Sequence, residues 1–169
     1  METKDAILKR RSIRVFKDTE VPKEMIDELL KSAMAAPSAL NRQPWFFYVI
    51  KNKEILEKIK KVSLYTDKNS NLIILVCGNI NGINPLNLND FWIQDVSAAI
   101  ENMLISATDM GLGSLWCGVY PRMDRVNAIK TILKIPKNIM PFAMVHIGYP
   151  GETKAKRTQY DDAKVEYIE

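Results

Sequence analysis

The sequence predicts an α+β sandwich instead of a strictly alternating doubly wound fold, and three observations carry that reading. Apolar residues recur at helical spacing over two long stretches, after Pro22 and from Val96 to Met110. Short runs rich in aromatic and β-branched residues, each a strand in length, lie between and after them. Helix and strand signals fall in separate runs, the pattern of a sheet with helices packed on it.

Taken in order, Asp5 to Arg10 reads as a short helix, with Thr3 a candidate cap because its hydroxyl can accept from a free first-turn amide. Pro22 opens a better helix, where Met25, Ile26, Leu29, Leu30, Ala33 and Met34 repeat at helical spacing up to Pro37. Trp45 to Ile50 reads as a strand, Ile55, Leu56, Ile59 and Val62 mark a helix, and Leu72 to Cys77 a buried strand. The longest apolar face joins Val96, Ala99, Ile100, Met103, Leu104, Ala107 and Met110, on a helix that Gly111 stops. Ser97, Ala98, Ser106 and Ala107 make that helix small-sided, which permits close helix approach. A strand around Leu115 to Val119, a helix from Asp124 to Ile135 and a strand from Phe142 to Tyr149 follow. The polar final twenty residues have no place in the domain that sequence alone can give.

Composition narrows the function. A chain of 169 residues makes one domain, 1–169, that buries a core without metal or disulfide support. Its longest apolar runs, Leu72 to Cys77 among them, are far short of the ~20 residues that cross a bilayer, so no membrane partner is expected. Met-Glu-Thr-Lys-Asp has no signal-peptide apolar region, and a soluble cytoplasmic protein is the expectation. Cys77 and Cys117 are far apart in apolar surroundings without a CxxC spacing, and read as buried free thiols. Net charge is only +4 and the lysines are scattered over helical faces such as Lys53 to Lys61, so nucleic acid is a weakly supported partner.

Two segments carry the candidate chemistry. In Arg10-Arg11-Ser12-Ile13-Arg14, an extended chain with a period of two points Ile13 and Val15 one way and Arg10, Ser12 and Arg14 the other. Two guanidiniums and a hydroxyl in line suit a phosphate and a polar chain attached to it. In Pro37-Ser38-Ala39-Leu40-Asn41-Arg42-Gln43-Pro44-Trp45, one proline ends a helix and the other opens a strand, pinning Ser38, Asn41 and Gln43 on a short polar loop. Alone, the first is more often a solvated helix end and the second an ordinary loop.

Other motifs read as structure. Gly111-Leu112-Gly113 follows a helix and lacks the spacing and acidic residue of a dinucleotide site, so it is a helix cap leading into a strand. His146, the only histidine, reads as a satisfied core or sheet-face residue with no nucleophile placed beside it by pattern, and no metal site is expected. Trp45, Phe46, Phe47 and Tyr48 read as core. If chemistry occurs here, a bound cofactor must bring it.

In their order, these segments resemble the nitroreductase family of FMN-dependent oxidoreductases. Arg10-Arg11-Ser12-Ile13-Arg14 is similar to the family's opening Arg-Arg-Ser-x-Arg, and Ala36 to Trp45 to its Ala-Pro-Ser-x-x-Asn-x-Gln-Pro-Trp loop, although Leu40 stands where glycine is common. Asp95 to Met110 with the turn Gly111 to Gly118, then Gly148-Tyr149-Pro150 and Arg157 to Asp162, extend the resemblance to nearly the full length; the segment between Cys77 and Phe91 does not align. The resemblance implies a three-layer sandwich with a mostly antiparallel sheet. It also implies a homodimer in which the C-terminal tail crosses to the partner and adds a strand to its sheet.

It further implies an FMN site built by Arg10, Arg11, Ser12, Arg14, Pro37, Ser38, Ala39, Leu40, Asn41, Gln43, Trp116, Cys117, Gly118 and Arg157. In that site Arg157 returns to the phosphate beside Arg10, the backbone of Trp116 to Gly118 faces flavin N5, and Arg14 lies near N1. Ser38, Asn41 and Gln43 of one subunit meet the flavin held by the other. The implied activity is electron transfer from NAD(P)H to a nitroaromatic, quinone or similar flat acceptor, with no side chain as obligatory acid or base. A specialised flavin enzyme, such as a reductive dehalogenase or flavin-fragmenting enzyme, and a non-catalytic flavin-binding redox sensor are the alternatives; a plain basic interaction protein is a third class.

Overall fold

In a computed structural model, described for residues 1–81 and 91–169, four strands form one sheet in the order β1-β2-β4-β3. They are β1 (Trp45–Ile50), β2 (Leu72–Asn79), β3 (Gly113–Gly118) and β4 (Ile139–Gly148), and all neighbours are antiparallel. The helices are α1 (Thr3–Lys9), α2 (Lys23–Met34), α3 (Lys53–Lys60), α4 (Phe91–Asp109) and α5 (Met123–Leu133). Most of the stretch between Cys77 and Phe91 that does not align lies outside the described residues.

Alternation along β2 makes the three layers. Leu72, Ile74 and Val76 pack with Ala143, Val145 and Ile147 of β4 against α2 and α4, while Ile73, Leu75 and Cys77 pack with Met144 against α3 and α5. Because both faces are covered, β2 is an unbroken apolar run instead of an alternating one. The α+β sandwich expected from sequence is the fold observed. Gly111, at φ +75°, stops α4 as the sequence suggested, with the Leu112 amide donating back to the Ala107 carbonyl at 2.8 Å.

Several local readings are corrected. Thr3 lies inside α1 and caps nothing; Glu2 precedes the helix without a side-chain cap bond. Strand β4 starts before Phe142, since its pairing steps from Val76·Ala143 to Cys77·Pro141 and leaves Phe142 as the extra residue of a bulge. That irregularity accommodates Pro141, which has no amide to donate to a ladder. The aromatic run is core only in part: β1 is an edge strand, Phe46 is exposed, and Trp45, Phe47 and Tyr48 are partly covered, packing at the margin of the core. The small side of α4 is used within the chain, where Ser106 Oγ lies 3.0 Å from Ser32 Oγ of α2 and Asn102 Nδ2 donates to the Ser32 carbonyl at 3.1 Å.

Cys77 and Cys117 are buried free thiols, as expected. His146 is fully buried but only half satisfied. Ser70 Oγ lies 2.7 Å from its Nδ1, whereas Nε2 has no partner among the described residues. Antiparallel pairing brings Ser70, two residues before β2, close to the end of β4, a proximity no linear pattern shows. Ser70 is itself buried, which leaves the pair structural instead of nucleophilic.

Burial, with Lys60 and Lys68 adding repulsion, holds the His146 imidazole pKa down at about 4 from an ordinary 6.5. The unfolded chain therefore binds the extra proton first as pH falls. Stability is retained above pH 6.5 and declines as pH falls from 6.5 toward 4, by roughly 3 kcal/mol. Urea unfolding across that range should show this loss, and a folded His146→Asn variant should show a smaller one.

Candidate functional site

The arginine segment leaves α1 and runs beside the open edge of β3. Ile13 donates its amide to the Ser114 carbonyl at 2.9 Å, and Ser12 bridges Ser114 in parallel fashion. The two-residue alternation expected here fails after Arg14: Ile13 and Phe16 are buried, whereas Val15 is 49% exposed. Phe16 is instead seated by Asn69, whose side chain accepts from its amide at 2.9 Å and donates to its carbonyl at 2.6 Å. Only isolated bridges tie this stretch to the sheet, so no regular pleat imposes the period.

The last residues of β4 lead into a strap that returns along the same segment. Lys17 donates to the Tyr149 carbonyl at 2.8 Å, Gly151 to the Val15 carbonyl at 2.8 Å and Arg157 to the Leu8 carbonyl at 3.2 Å, all from backbone amides. The tail that sequence could not place is thus laid, up to Arg157, against the chain's own N-terminal stretch. Cations accumulate there. Arg10 Nε sits 3.3 Å from Glu101 of α4, Arg11 donates to the Ala155 carbonyl, and Lys156 Nζ lies 2.9 Å from Asp5. Lys154 Nζ donates to the Ser12 carbonyl at 2.7 Å. Lys154 and Glu152 escaped the sequence reading, because a charged run after a strand looks like any solvated tail.

A second cationic group surrounds β3. Cys117 is buried and its thiol donates to the Tyr65 carbonyl at 3.4 Å; burial pushes its pKa up, while Lys68, Arg14 and Arg125 pull it down. Arg125 also donates to the Gly118 carbonyl at 3.1 Å. Trp116 turns to the opposite face, its ring 6.1 Å from Phe142, and space is open where a side chain at Gly118 would stand. Lys68 and Arg125 had no sequence signal, since the sheet alone brings them to Cys117.

The loop after Pro37 is strained and pinned. Ser38 Oγ accepts from the Gln43 amide at 2.9 Å, Gln43 Nε2 donates to Asn41 Oδ1 at 3.0 Å, and buried Asp95 of α4 accepts from the Ala39 amide at 2.9 Å. Leu40, Asn41 and Gln43 all have left-handed φ near +50°, a cluster of strain of the kind found where loops serve a site. The loop enters β1 and the arginine segment flanks β3, so three inter-strand spacings, roughly 14 Å, separate the strands that carry them. No hydrogen bond joins the two groups among the described residues. The chain brings Arg10, Arg11, Ser12, Arg14, Trp116, Cys117, Gly118 and Arg157 to one edge and Pro37, Ser38, Ala39, Leu40, Asn41 and Gln43 to the other.

The nitroreductase family model matches residues 7–69 and 64–149. A Methanothermobacter thermautotrophicus protein named "Putative NADH dehydrogenase/NAD(P)H nitroreductase" is 41% identical over 167 residues, covering 98% of this chain and 86% of that one. The chain belongs to the nitroreductase family. Among solved structures, an FMN-dependent nitroreductase from Clostridium difficile R20291 superposes with a TM-score of 0.87 at 32% identity, over 97% of this chain and 98% of that one. The FMN reductase [NAD(P)H] of Bacillus subtilis is 26% identical over 180 residues, 94% of this chain and 70% of that protein.

Within this family member, the left-handed backbone at Leu40 accounts for the glycine common at that loop position. Leu40 is 73% exposed, so truncating it forfeits little burial. A left-handed residue with a side chain costs roughly 1–2 kcal/mol, partly offset by the freedom glycine adds to the unfolded chain. Leu40→Gly is expected to raise stability by roughly 0.5–1 kcal/mol in urea unfolding.

Proposed function

We propose that this nitroreductase-family protein is an FMN-dependent oxidoreductase that draws electrons from NAD(P)H and delivers them to nitroaromatics, quinones or similar flat acceptors. The observation that carries the reading is the pair of cationic groups along one edge of β3, one of them around Ser12 and the strap, the other around Cys117. The first suits a phosphate, the second an aromatic ring that gains negative charge. No cluster of His, Cys, Asp or Glu able to hold a metal exists among the described residues, and His146 is enclosed in the core. The names of the C. difficile and B. subtilis relatives support FMN and NAD(P)H.

When bound, FMN would supply two-electron redox chemistry between the nicotinamide and the acceptor. Arg10, Arg11, Ser12 and Arg157 hold its phosphate and ribityl chain by charge-assisted hydrogen bonds. Arg14, with Lys68 and Arg125 nearby, lowers the energy of the negative charge that arises near N1. The backbone of Trp116, Cys117 and Gly118 would border the flavin ring, and among the described residues open space at Gly118 leaves room for a flat partner. Pro37, Ser38, Ala39, Leu40, Asn41 and Gln43 reach the flavin from the other subunit. The whole of 1–169 acts as one FMN-binding domain, and the reduced, buried Cys77 and Cys117 suit the cytoplasm.

Separation of the two residue groups supports a homodimer. So do the exposed Tyr160, Val165, Tyr167 and Ile168 of the tail and the exposed Phe46 and Val49 on edge strand β1. Deleting residues 159–169 keeps the strap intact and is expected to yield a folded monomer that loses FMN; a flavin-loaded monomer in sedimentation would contradict the exchanged tail.

The purified protein should be yellow. Arg10→Ala and Arg157→Ala should each weaken FMN binding by about one to two decades, the worth of a charge-assisted contact. NAD(P)H should bleach it without acceptor and a quinone restore the colour. With one pocket serving both substrates, steady-state lines should be parallel. Colourless protein that takes up no FMN, or bleaching only when both substrates are present, would overturn this mechanism.

A further inference from the structure

One carboxylate near the proposed flavin site belongs to none of the groups assigned above. Where the strap passes the arginine segment, the regular exchange of backbone bonds breaks, and the amides of Arg14 and Val15 both turn to Glu152. Its Oε1 accepts from Arg14 at 2.5 Å and from Val15 at 3.3 Å. Lys154 Nζ lies 3.1 Å from the same carboxylate and donates to the Ser12 carbonyl at 2.7 Å. Two side chains of the strap thus bind three backbone groups between Ser12 and Val15. The Arg14 amide holds the Glu152 carboxylate below the usual carboxylate range, with Lys154 and Val15 adding to the effect.

A short acceptor on both amides, together with a donor on the carbonyl two residues earlier, leaves the Ile13–Arg14 backbone little freedom. The Arg14 guanidinium lies 3.5 Å from the same Ser12 carbonyl that Lys154 binds, so the braced backbone also fixes where it sits, and from there it lowers the Cys117 pKa. We infer that Glu152, braced by Lys154, is a positioning residue that fixes Arg14 toward the flavin ring and so favours the reduced, negatively charged cofactor over the oxidised one. The inference rests on the FMN reading given above. It concerns a residue that does not touch the cofactor, acting through one that does.

A neutral amide at position 152 keeps the size and one acceptor but loses the charge on the two amides and the pairing with Lys154. Glu152→Gln should therefore weaken reduced FMN about tenfold more than oxidised FMN, which lowers the two-electron midpoint potential by about 30 mV. In an Arg14→Gln background, the same substitution should produce no further shift. Lys154→Met serves if Glu152→Gln does not fold. A lysine that merely touched the phosphate would weaken both redox states equally and leave the potential where it was, whereas one that braces Glu152 lowers it. An unchanged potential in folded, FMN-bound variants, or an equal shift with and without Arg14, overturns the positioning role alone. Failure of the wild-type chain to bind FMN overturns the functional reading and takes this inference with it.

Discussion

The structure depends on the antiparallel pairing of β2 with β4, two strands buried on both faces. Leu72 to Cys77 and Ala143 to Ile147 give their alternate side chains to α2 and α4 on one side and α3 and α5 on the other, so these strands form the centre of the layer that separates the helices. Apolar burial on both faces fixes the register strongly, because a slip of one residue would exchange the two layers. Polar function is thereby excluded from the centre. His146, with its ring held neutral between Ser70 and an unpaired nitrogen, marks what a polar group in this layer becomes.

The proposed chemistry lies at the edges of the sheet. Beside β3 lies the Arg10 to Val15 segment, with the strap laid over it; at β1 lies the strained loop ending in Pro44. Helix α4 reaches both, holding the Ala39 amide through Asp95 and Arg10 through Glu101, about 9 Å further along its axis. A rigid helix spanning two loops keeps their relation constant even though they share no hydrogen bond. Such division suits the proposed site, in which one subunit would give the phosphate clamp and the other the polar loop.

Much of this was legible in the sequence because periodic burial writes itself into apolar spacing. Helices α2 and α4, strand β2, and the stop at Gly111 follow from local pattern. What was not legible depends on the neighbours that tertiary structure supplies. Trp45 to Tyr48 has a core composition but occupies an edge, and Val15 leaves the face of Ile13 because Asn69 and Glu152 take the amides that a regular strand would have filled. The clamp residues were readable as an ordered motif, whereas Lys68, Arg125 and Glu152 were not, since their places follow from where β2, α5 and the strap come to rest.

Electrostatics ties these findings to the chemistry. Surface ion pairs are individually weak, and two cations at the proposed clamp or beside it already have such partners, Arg10 in Glu101 and Lys156 in Asp5. A phosphate that displaces so weak a partner gives up little, so the counter-ions keep the segment ordered without closing it to an anion. Glu152 differs, because it binds backbone amides instead of a mobile ammonium, and a phosphate arriving at Arg10 has no reason to displace it. Order at Ser12 to Val15 is therefore built in before any anion arrives, which is what a site must have if its cations are to lower the energy of charge as it forms and not merely after side chains have moved.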